Sequence, residues 1–266
     1  MRTPRLTLPF ETRKGRGLPV TALAVDYGPN DRVRRHQHPV GQLIYAVRGV
    51  MVIQTAIGQW VVPTTRGLWM PASMVHAIRM VGHVRMRTIY VRPNSSPHLP
   101  AACTVVAVSA LLSALILDAV DVRLPYAEDS RDGRLMRLLI DEIVQMPALP
   151  LNLPYPSDPR LRVIHERIMT APDDPSTAAQ WARTFRLDPR TIHRLFVRDT
   201  GLTFGQWRRQ ARLLAALEML ARGERIVDIA LAVGYSSPTA FSTMFHRQFG
   251  APPTSYFEAV ASPEQY

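Results

Sequence analysis

The fold of the C-terminal part of the chain is decided by Thr177–Arg198 (TAAQWARTFRLDPRTIHRLFVR), whose pattern returns about 48 residues later in Arg225–Arg247 (RIVDIALAVGYSSPTAFSTMFHR). Each copy has a small residue, Ala182 or Ala230, where two helices would cross, then a turn, then a helix with an apolar inner face. These are the requirements of a helix-turn-helix unit. The repeat therefore predicts two such units, and two recognition helices for the major groove of DNA.

The start and the outer face of each recognition helix follow from the spacing. Asp188 before Pro189, and Ser236 or Ser237 before Pro238, are typical helix starts. Arginine binds guanine edges through two hydrogen bonds, and short hydroxyls reach bases or phosphates. The outward residues, which we predict to contact DNA, are Arg190, Thr191, His193, Arg194 and Arg198 on the first helix and Ser237, Thr239, Ala240, Ser242, Thr243 and Arg247 on the second.

A long amphipathic helix is predicted between the two units, at residues 203–222. Such a helix spans about 30 Å, close to the ~34 Å between successive major grooves on one face of DNA. From Arg183 to Arg212 the chain has eight arginines against two aspartates, a local charge of +6. This charge favours phosphate contacts. Arg208 and Arg209 of the long helix are predicted to contact phosphates or solvent rather than bases.

The chain resembles the AraC/XylS family of transcriptional regulators over about residues 160–260. The matching residues are WA at Trp181–Ala182, RTIHRLF at 190–196, the long helix, IVDIALAVGYSSPTAFSTMFHRQFG at 226–250, and the PxxY of Pro253–Tyr256. Arg186 stands at a turn position that is often glycine, and Phe257 stands where arginine is common. The resemblance implies double-stranded promoter DNA as a partner, a homodimer, and RNA polymerase as a further partner.

Composition narrows the class of protein. The chain has 266 residues, a formal charge of +11 and a single cysteine, Cys103. The charge favours an anionic partner such as nucleic acid, anionic lipid or an acidic ligand, and one cysteine excludes a disulfide within the chain. The longest apolar run, Ala101–Leu117, lies at the short end of what crosses a bilayer and leads directly to Asp118 and Asp121. We therefore expect a cytoplasmic protein without a membrane span.

The first half of the chain predicts a β domain. Short apolar runs (43–47, 50–56, 60–63 and 87–91) alternate with glycine and proline over residues 18–93, which is typical of a sandwich or small barrel. Two helices are predicted at 109–120 and 132–146. The run Pro147–Pro159 holds five prolines and predicts an extended linker.

The predicted fold is a multi-domain α and β protein with an N-terminal β-barrel followed by helices and a C-terminal all-α DNA-binding domain. From residue 159 onward the pattern is helical, with predicted helices at 159–170, 177–184, 189–199, 203–222, 226–233, 238–248 and 253–260. The expected domains are a barrel sensor (1–108), a helical dimerisation segment (109–147), a Pro-rich linker (148–158) and a double helix-turn-helix domain (159–260).

Three histidines form the other candidate site. His36 and His38 lie two apart on a predicted strand and so point to one face, and a later strand can bring His76 opposite them. The pattern resembles the two cupin motifs, whose histidines and acid surround a metal ion. The resemblance implies that the predicted barrel is cupin-like. Gln42 stands where the cupin acid is usual. We keep two interpretations: a divalent metal held by three imidazoles, or a metal-free polar pocket that binds an effector.

Three functions fit these observations. The leading one is a sequence-specific transcriptional regulator whose barrel senses a small-molecule effector and controls promoter binding or activation. The alternative is a metal-dependent cupin enzyme, a dioxygenase or isomerase, fused to a DNA-binding domain. We do not favour it, because no acid or base partner accompanies the histidines at a recognisable spacing. The third is an architectural DNA-binding protein, which would show little sequence discrimination and no ligand dependence.

Overall fold

The computed structural model describes residues 8–64, 66–149 and 152–256. The chain divides into two compact units, one comprising residues 1–55 and 62–150 and the other residues 56–61 and 151–266. We call them the sheet unit and the helical unit. The predicted order, a strand-rich domain followed by a helical one, is confirmed. In the described part, no helix combines the length and apolar character needed to cross a lipid bilayer.

The sheet unit is built from antiparallel strands in the order β1-β6-β3-β5-β7-β8, with β2 also paired to β6. The strands of the first half of the chain are Val20–Tyr27 (β1), Arg32–His36 (β2), Gly41–Gln54 (β3), Gly58–Val62 (β4), Arg66–Met70 (β5), His76–Val91 (β6) and Thr104–Ala107 (β7); Ala148–Leu149 (β8) follows much later. β6 is central because it pairs with β1, β2 and β3.

The two runs predicted as separate strands at 43–47 and 50–56 form one strand, β3. Its register against β6 shifts between Ala46 and Val50, and Gly49 has a φ of 83° there. A Cβ at this position would lie 2.3 Å from the carbonyl oxygen of His83. Glycine is therefore required at an irregularity inside β3. The sequence pattern had indicated a turn between two strands at this point.

Two helices, Ala110–Ala119 (α1) and Arg131–Gln145 (α2), form close to their predicted positions and cover the sheet. The hydroxyl oxygens of Ser109 and Ser130 cap them by accepting from the amides of Leu112 and Gly133. Their inner faces share one core with the sheet, which includes Leu43, Ile89, Leu112, Ile116, Leu139 and Ile143. Full burial of each such side chain contributes about 1.5–3 kcal/mol.

The proline-rich run is extended, but it is not a free linker. Ala148–Leu149 pairs with β7, and within the helical unit Asn152–Pro154 (β9) pairs with β4. Trp207 Nε1 donates to the carbonyl of Pro154 at 3.0 Å, and Gln210 Nε2 to that of Asn152 at 2.6 Å. Proline cannot donate, but its carbonyl and its neighbours still pair. The described part of the run is thus anchored by its backbone.

The remaining helices lie close to their predicted positions. They are Pro159–Thr170 (α3), Ala178–Thr184 (α4), Pro189–Thr200 (α5), Phe204–Ala221 (α6), Ile226–Ala232 (α7) and Pro238–Phe249 (α8). The helix predicted at 253–260 is not formed in residues 253–256, which make a turn, and its remainder lies outside the described residues.

Candidate functional site

The first helix-turn-helix unit consists of α4, a tight turn and α5. Ala182 is fully buried at the crossing point, and its carbonyl accepts from the amide of Leu187 at 2.8 Å. Between them Arg186 has a φ of 55°, a left-handed conformation that costs a residue other than glycine about 1–2 kcal/mol. The turn is therefore formed, but without the residue best suited to it.

The second unit, α7 and α8, repeats this turn. The carbonyl of Ala230, also fully buried, accepts from the amide of Tyr235 at 2.8 Å, and Gly234 between them has a φ of 76°. Ser237 caps α8, because its Oγ accepts from the amide of Ala240 at 3.2 Å. Ala230 and Pro238 are eight positions apart, against seven for Ala182 and Pro189. The second turn is thus one residue longer.

The inner and outer faces of α5 agree with the prediction. Ile192 and Phe196 are fully buried, and the helix is capped by Asp188, whose Oδ1 accepts from the amide of Arg190 at 2.7 Å. Of the predicted DNA contacts, Arg190, His193, Arg194 and Arg198 are exposed and Thr191 is half-buried. The face carries three guanidinium groups within about two helical turns.

Two of the predicted arginines have partners inside the helical unit. Arg198 Nε donates to Asp199 Oδ1 at 2.7 Å. Arg208 Nη1 donates to the carbonyl of Ser176 at 2.8 Å, and its guanidinium lies 5.1 Å from the centre of the Phe204 ring. Both guanidinium groups therefore already have a contact within the helical unit. Arg209, its neighbour on α6, is exposed.

The outer face of α8 is nearly uncharged. Its inner residues Phe241 and Phe245 are fully buried. Among the predicted contacts, Thr239, Ala240, Thr243 and Arg247 are exposed, whereas Ser237 and Ser242 are half-buried. His246 is also exposed, three residues after Thr243 and so on the same face. The sequence analysis missed His246, although this spacing was a usable signal.

The helix α6 joins the units and is anchored through its buried face. Trp207, Leu214 and Leu217 are fully buried. Its start is a capping box, in which Thr203 and Gln206 each accept from the other's backbone amide. Eighteen residues give a length of about 27 Å, slightly shorter than predicted.

The second site is the histidine cluster of the sheet unit. Ring nitrogens of His36, His38 and His76 all lie within 4.8 Å of one another. His36 and His76 lie on β2 and β6, but His38, predicted to share the strand of His36, lies two residues beyond the end of β2. His76 is fully buried, His38 is 6% exposed, and the ring centres of His36 and His76 are 4.3 Å apart. His36 lies directly opposite His76 in the sheet. The structure therefore brings all three predicted side chains together.

Backbone carbonyls fix the orientation of each ring. The Nδ1 atoms of His36, His38 and His76 lie 2.8, 3.0 and 2.9 Å from the carbonyl oxygens of Arg34, Val40 and Met74 respectively. A carbonyl only accepts, so each Nδ1 carries the proton and donates. In the neutral rings, Nε2 then bears a lone pair. This arrangement is the usual support of metal-binding histidines.

Gln42 brings a fourth potential metal-binding atom, its amide oxygen, to the cluster. The Thr88 hydroxyl donates to the carbonyl of Leu43 at 3.0 Å and accepts from Gln42 Nε2 at 2.8 Å. The amide oxygen of Gln42 is thereby turned toward His38 Nε2, 2.9 Å away. At this distance the lone pairs of the two atoms repel each other unless a proton or a cation lies between them. Two metal-binding atoms about 3 Å apart can be adjacent ligands of one ion whose bonds are ~2.1 Å long.

Burial makes a proton between His38 Nε2 and the Gln42 amide oxygen unfavourable. It lowers the pKa of His38, and it lowers the pKa of His76 to about 4, where the charges of His36 and His38 act in the same direction and the Met74 carbonyl opposes them. Both rings are therefore neutral near pH 7. Nε2 of His76 is buried and has no hydrogen-bond partner among the described residues. The residues present thus fit a divalent metal ion.

Known proteins were compared with the whole chain. The profile of the AraC-like ligand binding domain matches residues 18–149, and that of a helix-turn-helix domain matches residues 181–259. The HTH-type transcriptional regulator NimR of Escherichia coli is 33% identical over 227 residues, which cover 85% of this chain and 83% of NimR. The HTH-type transcriptional regulator RipA of Corynebacterium diphtheriae is 27% identical over 129 residues, 48% of this chain and 36% of RipA.

Among solved structures, ToxT of Vibrio cholerae is similar with a TM-score of 0.37 and 11% identity, over 91% of this chain and 98% of ToxT. The sequence relatives favour regulation over the cupin enzyme that we kept as the alternative. With a ligand-binding domain, two helix-turn-helix units and this extent of identity, the chain belongs to the AraC family of DNA-binding transcriptional regulators.

Proposed function

We propose that α5 and α8 lie in successive major grooves of promoter DNA. The repeated unit carries this proposal: each turn has the same 2.8 Å hydrogen bond, and each following helix buries aromatic residues on one side and exposes the other. The early outward positions, Arg190 and Arg194 on α5 and Thr239 and Thr243 on α8, are the base readers. The helical unit from residue 159 to 260 is the DNA-binding domain.

The two units contribute unequally to affinity. The outer face of α5 carries three arginines, whereas that of α8 carries only Arg247 among the residues we predicted. Charge-assisted contacts to phosphate and guanine make up a large part of affinity for DNA. The first unit therefore supplies most of the affinity. Arg209 contacts phosphate, and Arg198 and Arg208 position the helices through their internal partners.

Removing Arg194 tests the interface. Genome-wide mapping first identifies the bound sites, and the affinity and footprint of full-length Arg194→Ala are then measured on one of them. The expected loss is about 1–3 kcal/mol with relaxed specificity at one base pair. Arg13→Ala removes the same charge from an exposed position of the sheet unit and serves as the control. Equal losses in both variants, or an unchanged footprint in Arg194→Ala, would refute this placement of the outer face.

The sheet unit is the sensor of a small-molecule effector. A ligand changes DNA binding only if it binds one arrangement of the protein more tightly than another. We further propose that His36, His38, His76 and Gln42 hold a divalent metal ion there, supported by the facing lone pairs of His38 and Gln42 and by the unpartnered Nε2 of His76. The bound ion supplies open coordination positions for an effector.

The middle helices, residues 109–147, join two subunits in this proposal. Leu111 on α1 is 49% exposed and Leu138 on α2 is 42% exposed, so each helix offers a large apolar side chain that the chain itself leaves uncovered. The remaining assignments follow from the family: the sheet unit up to about residue 108 senses, RNA polymerase is a further partner, and the protein acts in the cytoplasm, where the chromosome lies.

A further inference from the structure

A cleft of about 400 Å³ opens along β2 on the sheet unit, and four of its eight lining residues are arginines. The lining contains no acidic residue; it consists of Arg32, Val33, Arg34, Arg35, Gln54, Ala77, Ile78 and Arg79. We propose that this cleft binds a small multivalent oxyanion, of the phosphate or diphosphate type, at a site distinct from the histidine cluster.

A β-bulge creates the concentration of arginines. Val33 lies opposite Ile78 and His36 opposite His76, so Arg34 and Arg35 together oppose the single residue between Ile78 and His76. Residues directly opposite each other share a face of the sheet. Val33 and His36 therefore lie on the same face although they are three residues apart, and the bulge, with its one extra residue, leaves Arg34 and Arg35 for the other face.

The bulge also turns the arginine side chains away from the histidines, although Val33 and Ile78 line the cleft from the histidine face. Arg32 precedes Val33 and lies opposite Arg79, which places both on the face away from Val33 and His36. Within the described part of the chain, the two sites are linked by a hydrogen bond from His36 Nδ1 to the backbone carbonyl of Arg34, at 2.8 Å. The side chain of Arg34 is not needed for that contact, so it can be removed without touching the ring.

Arg34 and Arg35 are distinguished from most arginines of the chain. Their side chains are exposed and make no hydrogen bond or ion pair with the residues that the structure describes. Several other arginines are instead held by carboxylates, as in Arg87–Asp26 at 2.9 Å and Arg167–Asp174 at 2.6 Å. Arg32 and Arg79 have further interactions of their own, so the proposal depends on Arg34 and Arg35 as the anchors.

The shape and chemistry favour a small anion over the DNA backbone. Guanidinium groups bind phosphate oxygens in pairs of parallel hydrogen bonds. A concave volume of about 400 Å³ lies within the usual range of small-molecule sites. Several positive charges around one cleft favour a ligand with more than one negative charge.

The test uses full-length protein and inorganic pyrophosphate, titrated by calorimetry at constant ionic strength without added divalent metal. Wild type is expected to bind one pyrophosphate per chain. Arg34→Ala with Arg35→Ala should weaken binding about tenfold or more, because two charge-assisted contacts are lost. Arg13→Ala with Arg16→Ala removes the same charge from exposed positions of the same unit and should leave affinity unchanged. His38→Ala should still bind, which separates this site from the metal site.

Each other outcome overturns the proposal. No saturable binding, or no effect of the Arg34/Arg35 variant, means that the cleft holds no such site. Equal weakening in the Arg13/Arg16 variant means diffuse charge attraction. Weaker binding of an unrelated DNA duplex in the Arg34/Arg35 variant, with pyrophosphate affinity unchanged, means that the arginines contact DNA. Melting curves check folding, and Arg35→Ala alone, expected to weaken binding by a smaller factor, replaces the double variant if that does not fold.

Discussion

The guanidinium group of Arg212 on α6 lies against the backbone of Gly234 in the turn of the second helix-turn-helix unit. Arg212 Nε donates to the carbonyl of Pro172 at 2.7 Å, and its Nη2 donates to that of Asp174 at 3.2 Å. A Cβ on Gly234 would lie 2.5 Å from Nη2. The guanidinium of the long helix therefore packs against the second turn, where glycine leaves room for it and also suits the positive φ.

Gly234→Ala is expected to destabilise the helical unit. The left-handed backbone costs about 1–2 kcal/mol for alanine, and the new methyl displaces the Arg212 guanidinium as well. The thermal midpoint and the affinity for DNA should both fall. Gly205→Ala is the matched control, because a Cβ there meets nothing within 4 Å and a glycine in a helix favours replacement by alanine. Similar melting curves for the two variants would contradict the role of Arg212.

Arg186→Gly is expected to stabilise the first unit. Arg186 has a φ of 55°, and glycine removes the strain of about 1–2 kcal/mol while adding less than ~1 kcal/mol of entropy to the unfolded chain. The net gain should be up to about 1 kcal/mol, seen as a higher urea midpoint. Arg183→Gly, at an exposed position inside α4, should destabilise instead, since glycine is unfavourable in helices. A lower midpoint for Arg186→Gly would show that the side chain has a stabilising contact.

The sequence predicted most of the helical unit correctly because its signals are local. Caps such as Asp188, the prolines that follow them, and the small residues at the crossings each act within a few positions. The partner of Arg198 was not predicted, because an outward position on a helix does not reveal whether a neighbour such as Asp199 already holds the side chain. The spacing predicted which side of the helix faces outward, but not which of its side chains are already paired with neighbours.

The sheet unit was less predictable because strand pairing is non-local. The histidines were brought together as expected, but the bulge at Arg34 and Arg35 has no signature in the residues themselves. The same holds for β9: pairing through the backbone of a proline-rich run leaves no pattern of side chains. The role of Gln42 also needed the structure, because its direction is set by Thr88 on a distant strand.

Metal loading tests the histidine centre. Wild-type protein is expected to bind about one zinc, nickel or iron ion per chain in elemental analysis, and His36→Ala should lose it, because three imidazoles are the minimum set here. Gln42→Leu removes only the amide oxygen from the set and should weaken retention against a chelator. His83→Ala, at an exposed position, should remain loaded. A metal-free wild type, or a loaded His36→Ala variant, would favour the metal-free pocket instead.

The pH dependence of stability should reveal His76 in metal-free protein. Burial lowers its pKa to about 4, against about 6.5 in the unfolded chain. Between these values the unfolded chain takes up a proton that the folded chain does not, so stability is fully present above about pH 6.5 and falls as the pH approaches 4. The loss from this group reaches roughly 3 kcal/mol. Urea midpoints at pH 7 and pH 5, with a chelator present, should fall less steeply in His76→Gln than in wild type or in His83→Ala. Equal slopes in all three proteins would mean that His76 is not kept neutral by the fold.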